Sequence, residues 1–208
     1  AKYRGGFYIL NGSAGCGKTF TLKIILSILE MQYEHNGLPF EVKVFAPTGK
    51  ASKVASKSTG LPCVTVHRGL GYNPKEGFAY HEDEPLECDV LVVDETSMLD
   101  INLTKHLLNA VADGTKVIFI GDTKQLPSVG AGNVLQDLID SGFVKVVTLN
   151  VIKRQGKQSG IIRNANKIIK GEMIDSCEDT KDAYVIFRQT PQAIQKTILQ
   201  SIDRILTF

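Results

Sequence analysis

Gly12-Ser13-Ala14-Gly15-Cys16-Gly17-Lys18-Thr19 fits the spacing G-x-x-x-x-G-K-[ST]. Glycines in such a run let the backbone wrap, so that successive N–H groups converge on phosphate oxygens. Lys18 supplies a mobile point charge for the β- and γ-phosphates, and Thr19 offers a hydroxyl to Mg²⁺. The flanks have the right character. Phe7-Tyr8-Ile9-Leu10 reads as a short buried strand. From Thr19 to about Met31, Leu22, Ile25, Ile28 and Leu29 recur at helical spacing. Strand, glycine loop and helix together make a mechanism, because the positive end of the helix dipole adds to the field of the loop.

Further residues have types and positions that suit chemistry on a bound nucleotide. Asp94 and Glu95 follow the apolar run Val90-Leu91-Val92-Val93. A carboxylate at the carboxyl end of a parallel strand lies at the ligand edge of the sheet. Asp94 is placed to hold Mg²⁺ through water, and Glu95 to take a proton from an attacking water. Gln125 lies in the loop Gly121 to Gly130 after the next strand, where an amide can bond both the γ-phosphate and the attacking water. Arg154 follows a strand and the turn Asn150 to Lys153. It reads either as an arginine finger reaching the γ-phosphate or as an ordinary surface arginine. Ala46-Pro47-Thr48-Gly49-Lys50-Ala51 also follows a strand. There Thr48 and the N–H groups of the next helix suit a nucleic-acid backbone phosphate. His67 and Arg68 add a second polar and basic loop.

Repeated strand–helix units position these residues. Strands are expected at 42–46, 90–93, 116–120 and 144–149, with a short extended piece at 64–66. Helices are expected at 49–58, 102–112, 133–141 and 159–170. Residues 71–85, rich in glycine, proline and charge, read as an irregular insertion or small hairpin. Buried apolar strands alternating with helices give a parallel α/β sheet covered by helices. After Gly171 the composition shifts. Residues 172–182 read as an acidic linker, 183–187 as a strand and 191–206 as a helix, too little to close a second domain. The domain reading is therefore an ATPase domain over 1–173, with 174–208 a linker and the start of a truncated neighbour.

Bulk properties narrow the class. The chain has 208 residues, 43% apolar content and a formal net charge of +2. No apolar run is long enough to cross a bilayer, and no secretory signal is visible. The first residue is not Met and the first strand begins at once, which suggests a piece of something longer. Cys16, Cys63, Cys88 and Cys177 lack zinc spacing and fit a reducing, cytoplasmic compartment. Basic residues cluster at Lys43, Lys50, Lys53 and Lys57, and again from Lys145 to Lys170. Residues 82–95 are acidic.

In this order, the segments resemble the RecD/TraA-like branch of superfamily 1 DNA helicases. The matching stretches are GSAGCGKT from Gly12, FAPTGKAS from Phe45, TVHRGL from Thr65, VLVVDETSML from Val90, FIGDTKQLPSVGAG from Phe119 and LNVIKRQ from Leu149. SGIIRNANKIIKG from Ser159 is also similar. The resemblance spans about Phe7 to Met173, and GDTKQLPSVGAG is its most specific part. It implies a RecA-like fold and the first motor domain of an ATP-dependent helicase moving 5′ to 3′ on single-stranded DNA. Recombination, repair or conjugation-type processing is the implied setting. Lys18 and Thr19 then serve phosphate and Mg²⁺, Asp94 serves Mg²⁺, and Glu95 activates water. Gln125 senses the γ-phosphate, and Arg154 contacts it from within the domain. Pro47, Thr48, Gly49, Lys50, His67 and Arg68 face DNA, and the basic stretches become candidate tracks for the strand. Tyr72 and Phe78 are weak candidates for base stacking. Other subunits of a recombination or exonuclease complex are a further implied partner class, and no membrane is implied.

Two family segments are missing: the adenine-reading glutamine segment upstream of the phosphate loop, and the motifs of the second motor domain. Nucleotide binding without unwinding is therefore the expectation for this chain. Two rivals remain in view. A GTPase or small kinase would need different signatures: the nearest match to N-K-x-D is Asn166-Lys167-Ile168-Ile169, which lacks the acid. A nucleotide-gated DNA-binding scaffold would have no need of the complete set Lys18, Thr19, Asp94, Glu95 and Gln125.

Overall fold

The computed structural model describes residues 5–151, 159–177, 179 and 182–206. The chain divides into two compact units, residues 1–154 and 155–208.

In the first unit six parallel strands form one sheet in the order β3-β2-β4-β5-β1-β6. They are β1 (Gly6–Gly12), β2 (Val42–Ala46), β3 (Cys63–Thr65), β4 (Val90–Val93), β5 (Lys116–Gly121) and β6 (Lys145–Leu149). The helices of this unit are α1 (Lys18–His35), α2 (Gly49–Thr59), the single turn α3 (Val66–Gly69), α4 (Ile101–Asn109) and α5 (Val134–Asp140). This is the expected α/β fold, with every strand of the sequence reading for this unit present.

Side-chain alternation along each strand builds two cores. Leu10, Val44, Val90, Val92, Ile118 and Ile120 point to one face and pack with Leu22 and Leu26 of α1. Ile9, Phe45, Leu91, Val93 and Phe119 point to the other face and pack with Leu107 of α4 and Leu135 of α5. All four residues of β4 are buried, which is why that segment is apolar throughout. Each such side chain contributes about 1.5–3 kcal/mol of transfer free energy on burial. The edge strand β6, by contrast, is largely exposed.

Element ends follow local chemistry. Helix α1 runs on to His35 because Tyr33 is buried and its ring meets Phe40 at 5.0 Å between centroids. The extended piece expected through Val66 ends one residue sooner. The Thr65 hydroxyl accepts from the Arg68 N–H at 3.2 Å and turns the chain into α3. Asp100 caps α4 by accepting from the Leu103 N–H at 2.8 Å. Residues 71–85 are irregular apart from one bridge, Asn73 to Gly77.

Two expectations for the second unit need correcting. Residues 183–187 do not form a strand: only Ala183 is bridged, to Cys177, while Tyr184, Ile186 and Phe187 are exposed. Their β-propensity has no neighbouring ladder to act on. Nor are the described acids of the expected linker free: Asp175, Asp179 and Asp182 bond back to α6 (Gly160–Ile169) and its N-cap, Asp179 accepting from both terminal guanidinium nitrogens of Arg163 at 2.8 and 3.1 Å. Asp175 pairs with Lys167 at 2.9 Å, and Asp182 accepts from Ser159 and from the Gly160 N–H. Helix α7 (Pro191–Leu206) follows as expected.

One close approach fixes the loop after β3. A Cβ on Gly69 would stand 2.3 Å from the ring of Phe45, itself in the core. Gly69→Ala is expected to destabilise the fold by about 1–3 kcal/mol, the usual cost of overpacking. A thermal melt checks it: an unchanged midpoint would mean that the ring has room to move.

Candidate nucleotide site

The carboxyl ends of β1, β4 and β5 bring the chemical residues to one edge of the sheet. Register holds them there: Asn11 of β1 lies opposite Gly121 of β5, and Val93 of β4 opposite Phe119 of β5. The sheet also supplies a reversal of winding, since β1 leads through α1 to β2 on one side while β5 leads through α5 to β6 on the other. Ligands in open α/β sheets bind at such points.

The phosphate loop joins β1 to α1. Gly15 and Gly17 have φ of 80° and 96°, left-handed values that glycine adopts without steric cost. Gly17 is the N-cap of α1 and no side chain caps the helix. The first-turn N–H groups are thereby left to a ligand, as in anion sites at helix N-termini. Gly12 permits a tight passage: a Cβ there would meet the Cys16 Sγ at 2.6 Å and the Leu149 carbonyl oxygen at 2.8 Å. Cys16 is buried, so its side chain packs under the loop. Lys18 lies across the loop, its ammonium donating to the carbonyls of Gly12 and, at 3.3 Å, Ser13.

After β4 the chain makes an abrupt turn. Glu95 has φ 51°, the one left-handed non-glycine residue among those described. Its N–H donates to the Asp94 carboxylate at 2.9 Å, and the Thr96 hydroxyl donates to the Val93 carbonyl at 2.9 Å. A 3-10 turn over Thr96–Met98 follows. Such backbone strain costs on the order of 1 kcal/mol or more, and it concentrates where function requires it.

Burial raises both carboxylates above their ordinary range. For Asp94 the opposing influences are the Glu95 N–H and the positive charge of Lys18. For Glu95 the neighbouring Asp94 adds to burial, Lys18 opposes, and Asp122 raises it further. A carboxylate with raised proton affinity is the kind of group that can accept a proton from water.

Asp122, at the start of the loop that carries Gln125, is a functional-looking residue that sequence reasoning did not single out. It is buried, accepts from the Lys124 N–H at 3.0 Å, and stands close enough to act on Glu95. The signal was present, since an acid following the apolar run of β5 obeys the rule that singled out Asp94. A cleft of about 80 Å³ beside the phosphate loop is lined by Asn11, Gly12, Ser13, Asp122, Thr123 and Lys124 together with Thr148, Leu149 and Asn150. Gln125 does not line it. Its side chain is exposed, and its N–H donates to the Asp122 carbonyl at 3.0 Å. Arg154 lies outside the described residues.

A second group of residues leaves the same edge farther along. Ala46 and Thr65 are register partners on β2 and β3, so the loops that follow them emerge side by side. Thr48, Gly49, Lys50, His67 and Arg68 are exposed, and Pro47 is half-buried. Thr48 caps α2, accepting from the Ala51 N–H at 3.2 Å. Tyr72 stands edge-on to His67 with centroids 5.4 Å apart and is braced by Phe78 at 4.9 Å. Lys50, Lys53 and Lys57 share the exposed side of α2, whereas Lys43 pairs with Glu41 below them. The later basic run is less free than its composition implies. Arg163 and Lys167 are paired to acids, and Lys145 lies over the ring of Tyr8.

All four cysteines are free thiols, and burial pushes Cys63 and Cys88 up to about 11. Among the described residues no helix is long and apolar enough to cross a membrane.

Fold and site together define a RecA-like P-loop domain. The chain belongs to the AAA domain family, which matches residues 2–188. Over 164 residues it is 39% identical to the ATP-dependent RecD2 DNA helicase of Deinococcus radiodurans, a match covering 79% of this chain and 22% of that protein. Over 180 residues it is 36% identical to the RecBCD enzyme subunit RecD of Mycolicibacterium smegmatis, covering 77% of this chain and 32% of that one. The chain thus spans about a fifth to a third of these relatives. The crystal structure of Pif1 helicase from Candida albicans has the same fold, with a TM-score of 0.57 and 24% identity. That match covers 84% of this chain and 42% of the other. The motif resemblance to RecD-type helicases is therefore met by whole-segment similarity.

The raised proton affinity of Glu95 has a consequence for stability. The fold favours the neutral form, so ionised Glu95 costs stability above the carboxylate range, and that cost disappears as falling pH protonates it. Glu95→Gln is expected to raise Tm near pH 7.5. The gain should vanish below the ordinary glutamate value of about 4.3. Melting curves of both proteins across pH test this, and a gain that persisted in acid would contradict it.

Proposed function

We propose that this chain is the ATP-hydrolysing motor domain of a DNA helicase, coupling nucleotide turnover to movement on single-stranded DNA. The observation that carries the reading is the convergence of Lys18, Asp94 and Glu95 at one sheet edge, with mutual electrostatic influence. The relatives add support: one is named an ATP-dependent DNA helicase and another a subunit of RecBCD.

The residues fit Mg·ATP. The uncapped first turn of α1 and the close backbone passage at Gly12 make a cradle for phosphates. The donor set is hard oxygen, a Thr19 hydroxyl and the Asp94 carboxylate, which suits an ion that keeps water and phosphate ligands. Bound Mg²⁺ would neutralise charge on the phosphate oxygens. Lys18 leaves the loop carbonyls to meet the β- and γ-phosphates. Glu95 holds the attacking water and accepts its proton. Gln125, on the loop after β5, reports the γ-phosphate, and Arg154 has the arginine-contact role by resemblance.

The face carrying Thr48, Gly49, Lys50, His67 and Arg68 suits a DNA backbone. The loops after β2 and β3 emerge there together, with exposed cations and the half-exposed ring of Tyr72 beside them. Movement 5′ to 3′, a role in recombination or repair, a cytoplasmic setting and partner subunits are proposed from the motif resemblance to RecD-type helicases, one relative being named a RecBCD subunit. A helicase cycle closes nucleotide between two motor domains, so the 208-residue chain is proposed to bind Mg·ATP without unwinding DNA.

Phosphate release measured with and without single-stranded DNA tests the reading. Stimulation by DNA is expected when both motor domains of a helicase are present, with Lys18→Ala and Glu95→Gln each lowering kcat by at least about 10²-fold, the scale of general-base catalysis. Normal turnover in Glu95→Gln would remove it from the base role. Transfer of phosphate to an acceptor would indicate a kinase, and DNA binding without phosphate release a scaffold.

A further inference from the structure

We infer that Asn11, at the end of β1, is a positioning residue that ties the sensing loop to the phosphate loop. It does so through a bond from the Thr123 N–H to the Asn11 side-chain oxygen at 3.3 Å. The inference rests on the nucleotide-hydrolysing role proposed above and names a residue which that role does not use.

Asn11 is a polar residue directly after the run Phe7 to Leu10 and immediately before Gly12. Nothing in strand formation calls for an amide there. It is half-buried, and its partner lies on the neighbouring strand's exit, 112 residues away in sequence. The two strands leave the sheet in step, Asn11 opposite Gly121. Beyond Thr123 the loop has local bonds, from Lys124 N–H to the Asp122 carboxylate and from Gln125 N–H to the Asp122 carbonyl. Its far end is fixed elsewhere, by the Ile101 N–H donating to the Ala131 carbonyl and by Gly130 lying against Asp100. Between these anchors the loop is open to solvent: Leu126 and Val129 are 86% and 109% exposed. The bond at Asn11 therefore sets where the near end of the loop, including Gln125, stands relative to the phosphates.

A residue in this position affects recognition of the γ-phosphate more than binding of the rest of the nucleotide. Affinities for Mg·ATP and Mg·ADP, measured with fluorescent analogues of each, supply a ratio that general destabilisation does not move. Asn11→Ala removes the acceptor. Asn11→Asp keeps an acceptor of the same shape. Asn11→Ala is expected to lower the preference for Mg·ATP over Mg·ADP by about fivefold, the scale of one lost hydrogen bond. It should lower Mg·ADP affinity less than Mg·ATP affinity, and Asn11→Asp should retain most of the preference. An unchanged ratio in Asn11→Ala overturns the inference. So does an equal loss for both nucleotides with a lowered Tm, the mark of a purely structural residue. A wild-type chain that binds both nucleotides and hydrolyses neither, even with a second motor domain and DNA present, would sink the turnover role. The affinity ratio would still decide the role of Asn11.

Discussion

Everything at the nucleotide edge depends on the parallel register of β1, β5 and β4. These strands carry no catalytic group within their length. Their central residues are apolar and buried, and the strands are bonded side by side, so their ends stop together. Slipping one strand by a single residue would turn its core side chains to the wrong face. The burial of Ile9, Leu10, Val93 and Phe119 therefore fixes the spacing between Gly12, Asp94 and Asp122. The chemistry is placed by hydrophobic free energy acting at a distance from it.

The same sheet end holds features that oppose stability. Glu95 is in a left-handed conformation, two adjacent carboxylates are partly withdrawn from water, and Asp122 adds a third nearby. A protein selected only for stability would not keep this arrangement, since unpaired buried charge is costly. The strain is tolerated because β4 is fully buried and cannot give way. Lys18 offsets part of the repulsion from across the loop, which electrostatically couples the phosphate loop to the carboxylates before any ligand is considered.

Much of this was legible in the sequence. The strands of the first unit could be read because parallel buried strands are continuous apolar runs, and Val90–Val93 and Val42–Ala46 have the predicted limits. The phosphate loop and the Asp94-Glu95 pair could be singled out because residue types, spacing and the apolar run before each are local features of the chain. Asp122 was less so: an acid in a loop rich in glycine and proline gives no local sign of its neighbours, and its nearness to Glu95 comes from β5 ending beside β4. The reading of 183–187 as a strand failed because β-propensity has effect only where another strand offers a ladder. The basic run around Arg163 and Lys167 looked free because composition does not show that the acids at 175 and 179 fold back onto it.

What the sequence by itself determined is local: periodicity, glycine positions, caps, and the residue types needed to handle phosphate. These depend on neighbours within a few positions along the chain. Tertiary structure decided which loops meet. Asn11 and Thr123 are 112 positions apart, and their bond exists only because β1 and β5 lie side by side. The loops after Ala46 and Thr65 likewise share a face only through pairing of β2 with β3. Strand order is set by how helices cross over and pack on a common sheet. That is a property of the whole apolar pattern, which no single motif encodes.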